Sequence, residues 1–207
     1  MTQSFGALQA HALGRLATLE LPKTAKALTT ALRVALFNAS DARLLTTSPS
    51  DITKRLKATD PPDDIAKKLD SRKGVSCIFG GAKNQDRDIS LAHFARSDGA
   101  WFDFTITVRE RGHDALELLA YDFEIRLPQR CGTPFVRFDL NLPGHANEER
   151  ELRCHVHPGS DDVLLPAPLM GPLELLDLFI HQVQPTREAR VRSTFEMNWF
   201  QKASTLG

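Results

Sequence analysis

The chain has 207 residues, of which 42% are hydrophobic and 25% are charged, and its 26 Lys and Arg residues balance its 26 Asp and Glu residues. These proportions are those of a folded globular protein and exclude wholesale disorder, and a net charge of zero argues against tight nonspecific nucleic-acid binding, which depends on neutralising phosphates. No apolar run approaches the roughly 20 residues of a membrane helix, and no secretory signal pattern begins the chain, so we expect a cytoplasmic protein without a membrane partner.

The N-terminal region is predicted to be helical. Apolar residues recur at helical spacing through residues 7–21 and 24–37, and Pro22 separates the two segments. A Ser-Pro pair predicts the start of a short helix over residues 48–57. The acidic, proline-containing cluster that follows predicts a further helix that ends near Gly74.

Four segments in the middle of the chain alternate apolar and polar residues: 101–108, 121–127, 135–142 and 152–157. A period of two places the two kinds of side chain on opposite faces of a strand. One-sided burial is typical of antiparallel sheets, and the short connectors rich in Gly, Pro and charge favour hairpins. We therefore expect a central antiparallel sheet of about four or five strands.

The C-terminal part is predicted to begin extended and then to form a buried helix. Prolines keep residues 161–171 out of a regular helix. Pro172 then opens a helix over residues 173–183 that is apolar on most sides, which predicts burial against the sheet. The aromatic tail, residues 186–207, is expected to add a strand or to bind a protein partner.

The predicted fold class is therefore α+β, with N-terminal helices, a central antiparallel sheet and a buried C-terminal helix. Residues 1–85 form the helical region, and residues 86–207 form the sheet with its helix and tail, in one compact unit with the first. Cys77, Cys131 and Cys154 lack CxxC spacing, which argues against disulfides and a cysteine zinc module. Cys154 falls on the apolar face and is expected to be buried.

The polar face of the predicted sheet carries the best candidate site. Alternation places Arg137 and Asp139 on the same face as His155 and His157. An ordinary solvated sheet face is rich in Lys, Thr, Ser and Glu, whereas this face combines two histidines with an arginine and an aspartate. These four residues are the predicted catalytic set.

Two chemistries could use this set. In the first, His155, His157 and Asp139 bind a divalent metal as two imidazoles and one carboxylate, and leave coordination positions open. In the second, which needs no metal, one histidine accepts a proton from an RNA 2′-hydroxyl and the other protonates the leaving oxygen. Arg137 or Arg153 would then stabilise the charged phosphorane. We regard the metal-free mechanism as the leading enzymatic hypothesis from the residues alone.

A third interpretation needs no chemistry. Opposite charges that face each other on adjacent strands stabilise a sheet by about 0.2–1 kcal/mol per pair, so ion pairing explains such residues without a function. The histidines would then border a protein or ligand surface. The residues expected to pair in this way are Asp122, Glu124, Arg126, Arg137 and Asp139.

A family resemblance rests on a short pattern: Arg137-Phe138-Asp139, then His155-Val156-His157-Pro158-Gly159, then Pro166 and the Pro172-Leu173-Glu174-Leu175-Leu176-Asp177 helix. This pattern resembles small uncharacterised prokaryotic proteins, some of which are encoded in toxin-antitoxin or phage-defence loci. The resemblance implies a protein that acts on or binds nucleic acid, and an enzyme of this kind would be a nuclease-like phosphodiesterase. The alternative is a noncatalytic protein-interaction or regulatory module.

Overall fold

The computed structural model describes residues 5–69, 73–112, 115–148, 150 and 152–185. Five α-helices are present in these ranges: α1 (Phe5–Thr18), α2 (Ala25–Asp41), α3 (Pro49–Arg55), α4 (Asp63–Lys68) and α5 (Pro172–Asp177). A 3₁₀ turn spans Ala146–Glu148, and a π-helical turn, Leu178–Gln182, continues α5. The predicted roles of the tail at 186–207 lie outside the described residues.

Eight strands form one sheet: β1 (Leu56–Thr59), β2 (Val75–Gly80), β3 (Phe94–Ala95), β4 (Trp101–Arg111), β5 (Ala115–Arg126), β6 (Phe135–Leu140), β7 (Cys154–His157) and β8 (Leu165–Pro166). The order is β1-β2-β4-β5-β6-β7-β8, with β3 paired to β4, and every described pairing is antiparallel. The α+β class and the antiparallel sheet are therefore confirmed.

The predicted number of strands was too low, and three predicted helices were too long: α3, α5, and α4, which ends at Lys68 instead of near Gly74. α3 ends at Arg55, and the chain passes directly into β1, so Lys57 lies in a strand. β2 is mostly buried on both faces and so lacks the alternation that marks a half-buried strand. The C-terminal helix is only a short α-helix through Asp177, continued by the π-helical turn.

The hydrophobic core lies between the apolar sheet face and the helices. α2 is capped at its N-terminus by Thr24, whose side chain accepts a hydrogen bond from the backbone N–H of Ala27. It buries Leu28, Leu32 and Leu36 completely. These residues belong to one cluster with the inward side chains of β4, β5, β6 and β7. Cys154 is buried in this cluster, as its place on the apolar face predicts.

β2 ends at a glycine. Gly80 lies opposite Phe104 in register, and a Cβ atom at Gly80 would lie 2.3 Å from the Phe104 ring. The ring therefore occupies the space that a side chain would need, and the strand ends where segment 81–93 crosses onto the polar face.

No helix in the described part of the chain is long and apolar enough to cross a membrane.

Phe179 joins the C-terminal helix to the sheet. Its ring contacts those of Phe102, Phe123 and Phe138, at centroid distances of 5.9, 6.0 and 6.2 Å. We expect Phe179→Ala to lower the free energy of unfolding by about 3–5 kcal/mol, because the lost contacts leave a cavity. Urea denaturation followed by circular dichroism measures this change.

Val34 provides the matched control for that measurement, since it is 51% exposed. Val34→Ala should change the free energy of unfolding by less than about 0.5 kcal/mol. A Phe179→Ala protein as stable as the Val34→Ala protein would show that the helix does not pack on the sheet as described.

Candidate metal centre

Strand register brings the four predicted site residues together. In the β6–β7 pair, Arg137 lies opposite His157 and Asp139 lies opposite His155. Both residues of each strand project to the face opposite the apolar Phe138, because side chains alternate along a strand. The four side chains therefore form a block two residues wide on two adjacent strands.

Three donor atoms within this block form a nearly equilateral triangle. The Nε2 atoms of His155 and His157 are 3.2 Å apart, and each lies 3.3 Å from Oδ2 of Asp139. All three side chains are buried: that of His155 is 1% exposed, that of His157 is 6% exposed and that of Asp139 is 11% exposed. Asp139, His155 and His157 are called the triad below.

Backbone carbonyl groups orient both imidazole rings. Nδ1 of His155 lies 2.8 Å from the carbonyl oxygen of Leu152, and Nδ1 of His157 lies 3.4 Å from that of Ser160. A carbonyl oxygen only accepts hydrogen bonds, so each Nδ1 is the protonated nitrogen and each Nε2 of the neutral ring carries a lone pair. Two lone pairs and a carboxylate oxygen then face one another, and a metal ion or an added proton between them would relieve their repulsion.

The triangle has the dimensions of a zinc site. Zinc binds imidazole nitrogen and carboxylate oxygen at about 2.0–2.2 Å, so tetrahedral coordination places neighbouring ligand atoms about 3.3–3.6 Å apart. Octahedral coordination with bonds of about 2.1 Å would place them about 3.0 Å apart. The observed separations of 3.2–3.3 Å fit the tetrahedral arrangement better. Backbone acceptors on the opposite ring nitrogens are also the usual outer contacts of metal-bound histidine.

The carboxylate of the triad is kept ionised. Burial alone would raise the pKa of Asp139, but a hydrogen bond from His155 or His157, whose Nε2 donates when the ring carries an added proton, and the charge of Arg137 hold that pKa well below its usual range. Arg137 donates from Nε to Oδ2 of Asp139 over 3.0 Å. An ionised carboxylate is the form that binds a cation.

A second carboxylate stands beside the triad. Asp122 lies opposite Asp139 in the β5–β6 register and is exposed to solvent. Its carboxylate makes no hydrogen bond and no close ion pair within the described residues, although the charge of Arg137 attracts it. Desolvation by the surrounding protein and the negative charge of Asp139 raise the pKa of Asp122 to about 7, even though solvent reaches its side chain. Because Asp122 is exposed, solvent reaches the sheet face next to the triad.

Ion pairs continue from the triad across the polar face. Glu124 is buried and accepts hydrogen bonds from Nη1 of Arg137 at 3.4 Å and from Nε of Arg87 at 2.8 Å. Arg126 pairs with both Asp103 and Glu124, and all three are buried. Asp161 binds both Arg87 and Arg137 at the solvent side.

The ion pairs expected from the sequence are thus confirmed in part. Glu124 pairs with Arg137 across strands and with Arg126 along its own strand. Asp139 pairs along its own strand with Arg137, whereas Asp122 has no ion pair among the described residues. The cross-strand pairing expected of Asp122 is therefore absent there, because the residue opposite it is Asp139.

Arg153 does not lie where the metal-free mechanism needs it. Its guanidinium donates to the backbone carbonyl groups of Asn141 and Leu119, and the residue is 8% exposed. Those contacts brace the backbone beside β6 and β5. Among the two arginines suggested for charge stabilisation, only Arg137 contacts the triad.

Two members of this network were missed by sequence reasoning. Arg87 lies in the segment between β2 and β3, and Asp161 lies between β7 and β8. Neither belongs to a regular element, so no alternation could place them on the sheet face. Arg87 also stacks on the Phe135 ring, with its guanidinium carbon 3.6 Å from the ring centroid.

Comparisons with known protein families, curated proteins and solved structures found no match to this chain.

Metal binding is the direct test of the triad. We expect the metal-free protein to bind one Zn²⁺ per chain in isothermal titration calorimetry. Asp139→Asn and His155→Asn should each weaken that binding at least about 100-fold, since even outer contacts of a metal site are worth about 10–100-fold. Zinc at a hundredfold excess over its dissociation constant should stabilise the folded protein by about 2.7 kcal/mol.

His181 supplies the control for these substitutions. It is exposed, pairs with Asp177 and lies on the turn after α5, away from the triad. His181→Asn should leave zinc affinity unchanged. Zinc affinity that is equally insensitive to Asp139→Asn would remove the triad as the binding site.

Proposed function

We propose that this protein is a metal-dependent phosphodiesterase that acts on nucleic acid, with Asp139, His155 and His157 as its metal ligands. The observation that carries the proposal is the convergence of three donor atoms at 3.2–3.3 Å, held by two backbone carbonyl groups and Arg137. This revises the order of the two chemistries expected from the residues, in which the metal-free mechanism led.

The separation of the histidines argues for the metal. A general acid and a general base on opposite sides of a phosphorus atom each need an oxygen within hydrogen-bond reach, which requires nitrogens at least about 6 Å apart. The two Nε2 atoms are only 3.2 Å apart. No phosphate fits between them, whereas a single metal ion does.

The number of ligands favours a catalytic over a structural metal. Structural zinc sites are closed by four protein ligands, while catalytic sites keep three and leave a position for water or substrate. The described residues that could share one ion are Asp139, His155 and His157 alone. A metal held by these residues would lower the pKa of a water molecule and would polarise a phosphoryl oxygen.

The balanced reaction is hydrolysis of a phosphate ester. The oxygen of water attacks phosphorus, the bond from phosphorus to the leaving oxygen breaks, and the leaving oxygen takes the proton that water loses. Asp122 is the group we assign to receive that proton first, because it is exposed, makes no hydrogen bond within the described residues and lies opposite Asp139. Arg137 stands beside Asp139 to stabilise negative charge on the phosphoryl oxygens.

Charge on the face supports a cation-dependent reaction. Three guanidinium groups and four carboxylates are joined by ion pairs, which leaves a formal charge of −1 with the histidines neutral. Asp122 adds a further negative charge when it is ionised. A phosphate would be repelled from this face until a divalent cation offsets it.

The alternative is a noncatalytic module that interacts with another protein. In that case the ion pairs serve the sheet, and the triad is at most a structural metal site. The two functions differ in turnover, since only the enzyme consumes a substrate.

Cleavage assays test the proposed activity. We expect the zinc-loaded protein to cleave single-stranded RNA or DNA oligonucleotides, and chelation by EDTA to abolish cleavage until zinc is restored. His157→Asn should lower the rate by at least about 100-fold, the usual cost of removing a stabilising group at the reacting centre. Gel electrophoresis of end-labelled oligonucleotides measures the rate.

His93→Asn is the control for cleavage, because His93 lies outside the triad and contacts Trp101 and the carbonyl oxygen of Leu91. It should retain the wild-type rate. A protein that binds zinc at the triad but cleaves neither RNA nor DNA would favour the noncatalytic alternative.

A further inference from the structure

Two guanidinium groups from separate parts of the chain converge on one carboxylate. Nη2 of Arg87 lies 2.9 Å from both oxygens of Asp161, and Nη1 of Arg137 lies 2.7 Å from Oδ1 of Asp161. Planar guanidinium groups that share an oxyanion in this way are the usual means by which proteins bind phosphate and carboxylate groups. Arg87 and Arg137 are called the arginine pair below.

The arginine pair is held firmly on its inner side. Glu124 is 5% exposed at its side chain and binds both guanidinium groups from below, and Arg87 also rests on the Phe135 ring. The side chains of Arg87 and Arg137 are 25% and 20% exposed. Their donors are therefore oriented before any ligand arrives, which reduces the entropy cost of binding one.

Asp161 is held much less firmly. Its side chain is 52% exposed, and it lies in the connection between β7 and β8 rather than in a strand. Water competes with the arginine pair for this exposed carboxylate and weakens both ion pairs. Asp161 can therefore leave the arginine pair at small cost, whereas Glu124 cannot.

The arginine pair adjoins the triad through one side chain. Arg137 donates from Nε to Asp139 and from Nη1 to Asp161. The carboxylate of Asp161 and the ligand oxygen of Asp139 are thus separated by the width of a single guanidinium. A tetrahedral phosphate that took the place of Asp161 would have further oxygens to direct toward the triad.

We propose that the arginine pair is the subsite for a phosphodiester group of the substrate, and that Asp161 occupies this subsite until the substrate displaces it. This inference rests on the proposed function, because it names the residues that position the substrate beside the metal. It assigns a positioning role to Arg87 and Arg137, and it identifies Asp161 as a group of the same chain that competes with substrate for them. The ligand chemistry is a phosphodiester, and free inorganic phosphate is the other source of the same oxyanion.

Removal of the competitor tests this assignment without any turnover. Isothermal titration calorimetry would compare wild type with Asp161→Ala, using dimethyl phosphate as the diester and inorganic phosphate as the free anion. We expect Asp161→Ala to bind dimethyl phosphate at least about tenfold more tightly than wild type. Arg87→Ala in the Asp161→Ala background should abolish the gain. An Asp161→Ala protein that binds dimethyl phosphate no more tightly than wild type would overturn the proposal.

Asp162→Ala is the matched control, since Asp162 is an exposed acidic neighbour whose side chain contacts neither member of the arginine pair in the described structure. It changes the net charge equally, so a gain as large as that of Asp161→Ala would overturn the proposal in favour of a general charge effect. Asp161→Asn keeps the size of the side chain and should show a gain in the same direction. Thermal unfolding of each variant confirms that it is folded.

The two anions distinguish a phosphodiester ligand from free phosphate. If Asp161→Ala binds inorganic phosphate more tightly than wild type does, but not dimethyl phosphate, the assignment to a diester is wrong. Titrations with metal-free and zinc-loaded protein separate this proposal from the proposed function, because the arginine pair can bind dimethyl phosphate in a protein that cleaves nothing. Zinc binding with no gain in Asp161→Ala would in turn leave the triad in place and remove only the subsite.

Discussion

Charge buried on the second face of the sheet is the constraint on which the rest of this structure depends. Asp103, Glu124, Arg126 and both triad histidines are less than 9% exposed, although they lie opposite the hydrophobic core. A buried charge that loses its partner is strongly destabilising. Hydrogen bonds and ion pairs therefore connect the polar residues of this face. Segment 81–93 covers part of the face, and the guanidinium of Arg126 donates a hydrogen bond to the backbone carbonyl of Asn84 in that segment. Where this chain of contacts reaches the triad, the three donor atoms lie close enough together that they could hold a metal ion.

Alternation predicted a large part of this arrangement. The spacing of Arg137 with Asp139, and of His155 with His157, placed all four side chains on one face, and the antiparallel register made them neighbours. The distances could not be predicted, because alternation fixes the face of a residue and leaves the offset between two strands open. Burial of the face was also beyond the sequence, since Arg87 and Asp161 reach it from irregular connections that carry no periodic signal.

The strands that the sequence did not predict have physical reasons of their own. β2 is mostly buried on both faces, so its apolar residues do not alternate with polar ones. β1 follows α3 without a loop, and β3 and β8 have only two residues each, too few for a period to show. For α5, in contrast, the sequence predicts more regular structure than is present. Leu173 to Val183 is apolar enough for a long helix, but the backbone changes to a wider π-helical turn after Asp177. This turn still buries Phe179 and Ile180.

Arg137 links the two proposed sites, and this makes their occupancy interdependent. Its Nε serves Asp139 and its Nη1 serves Asp161 and Glu124, so the same positive charge is shared between the triad and the subsite. With a cation at the triad, Asp139 would hold Arg137 less strongly, and the guanidinium would be more available to a phosphate. By the reciprocity of linked equilibria, a phosphate at the arginine pair would then strengthen metal binding by the same factor. The two proposals together therefore imply that the metal-loaded protein would bind substrate more tightly than the metal-free protein.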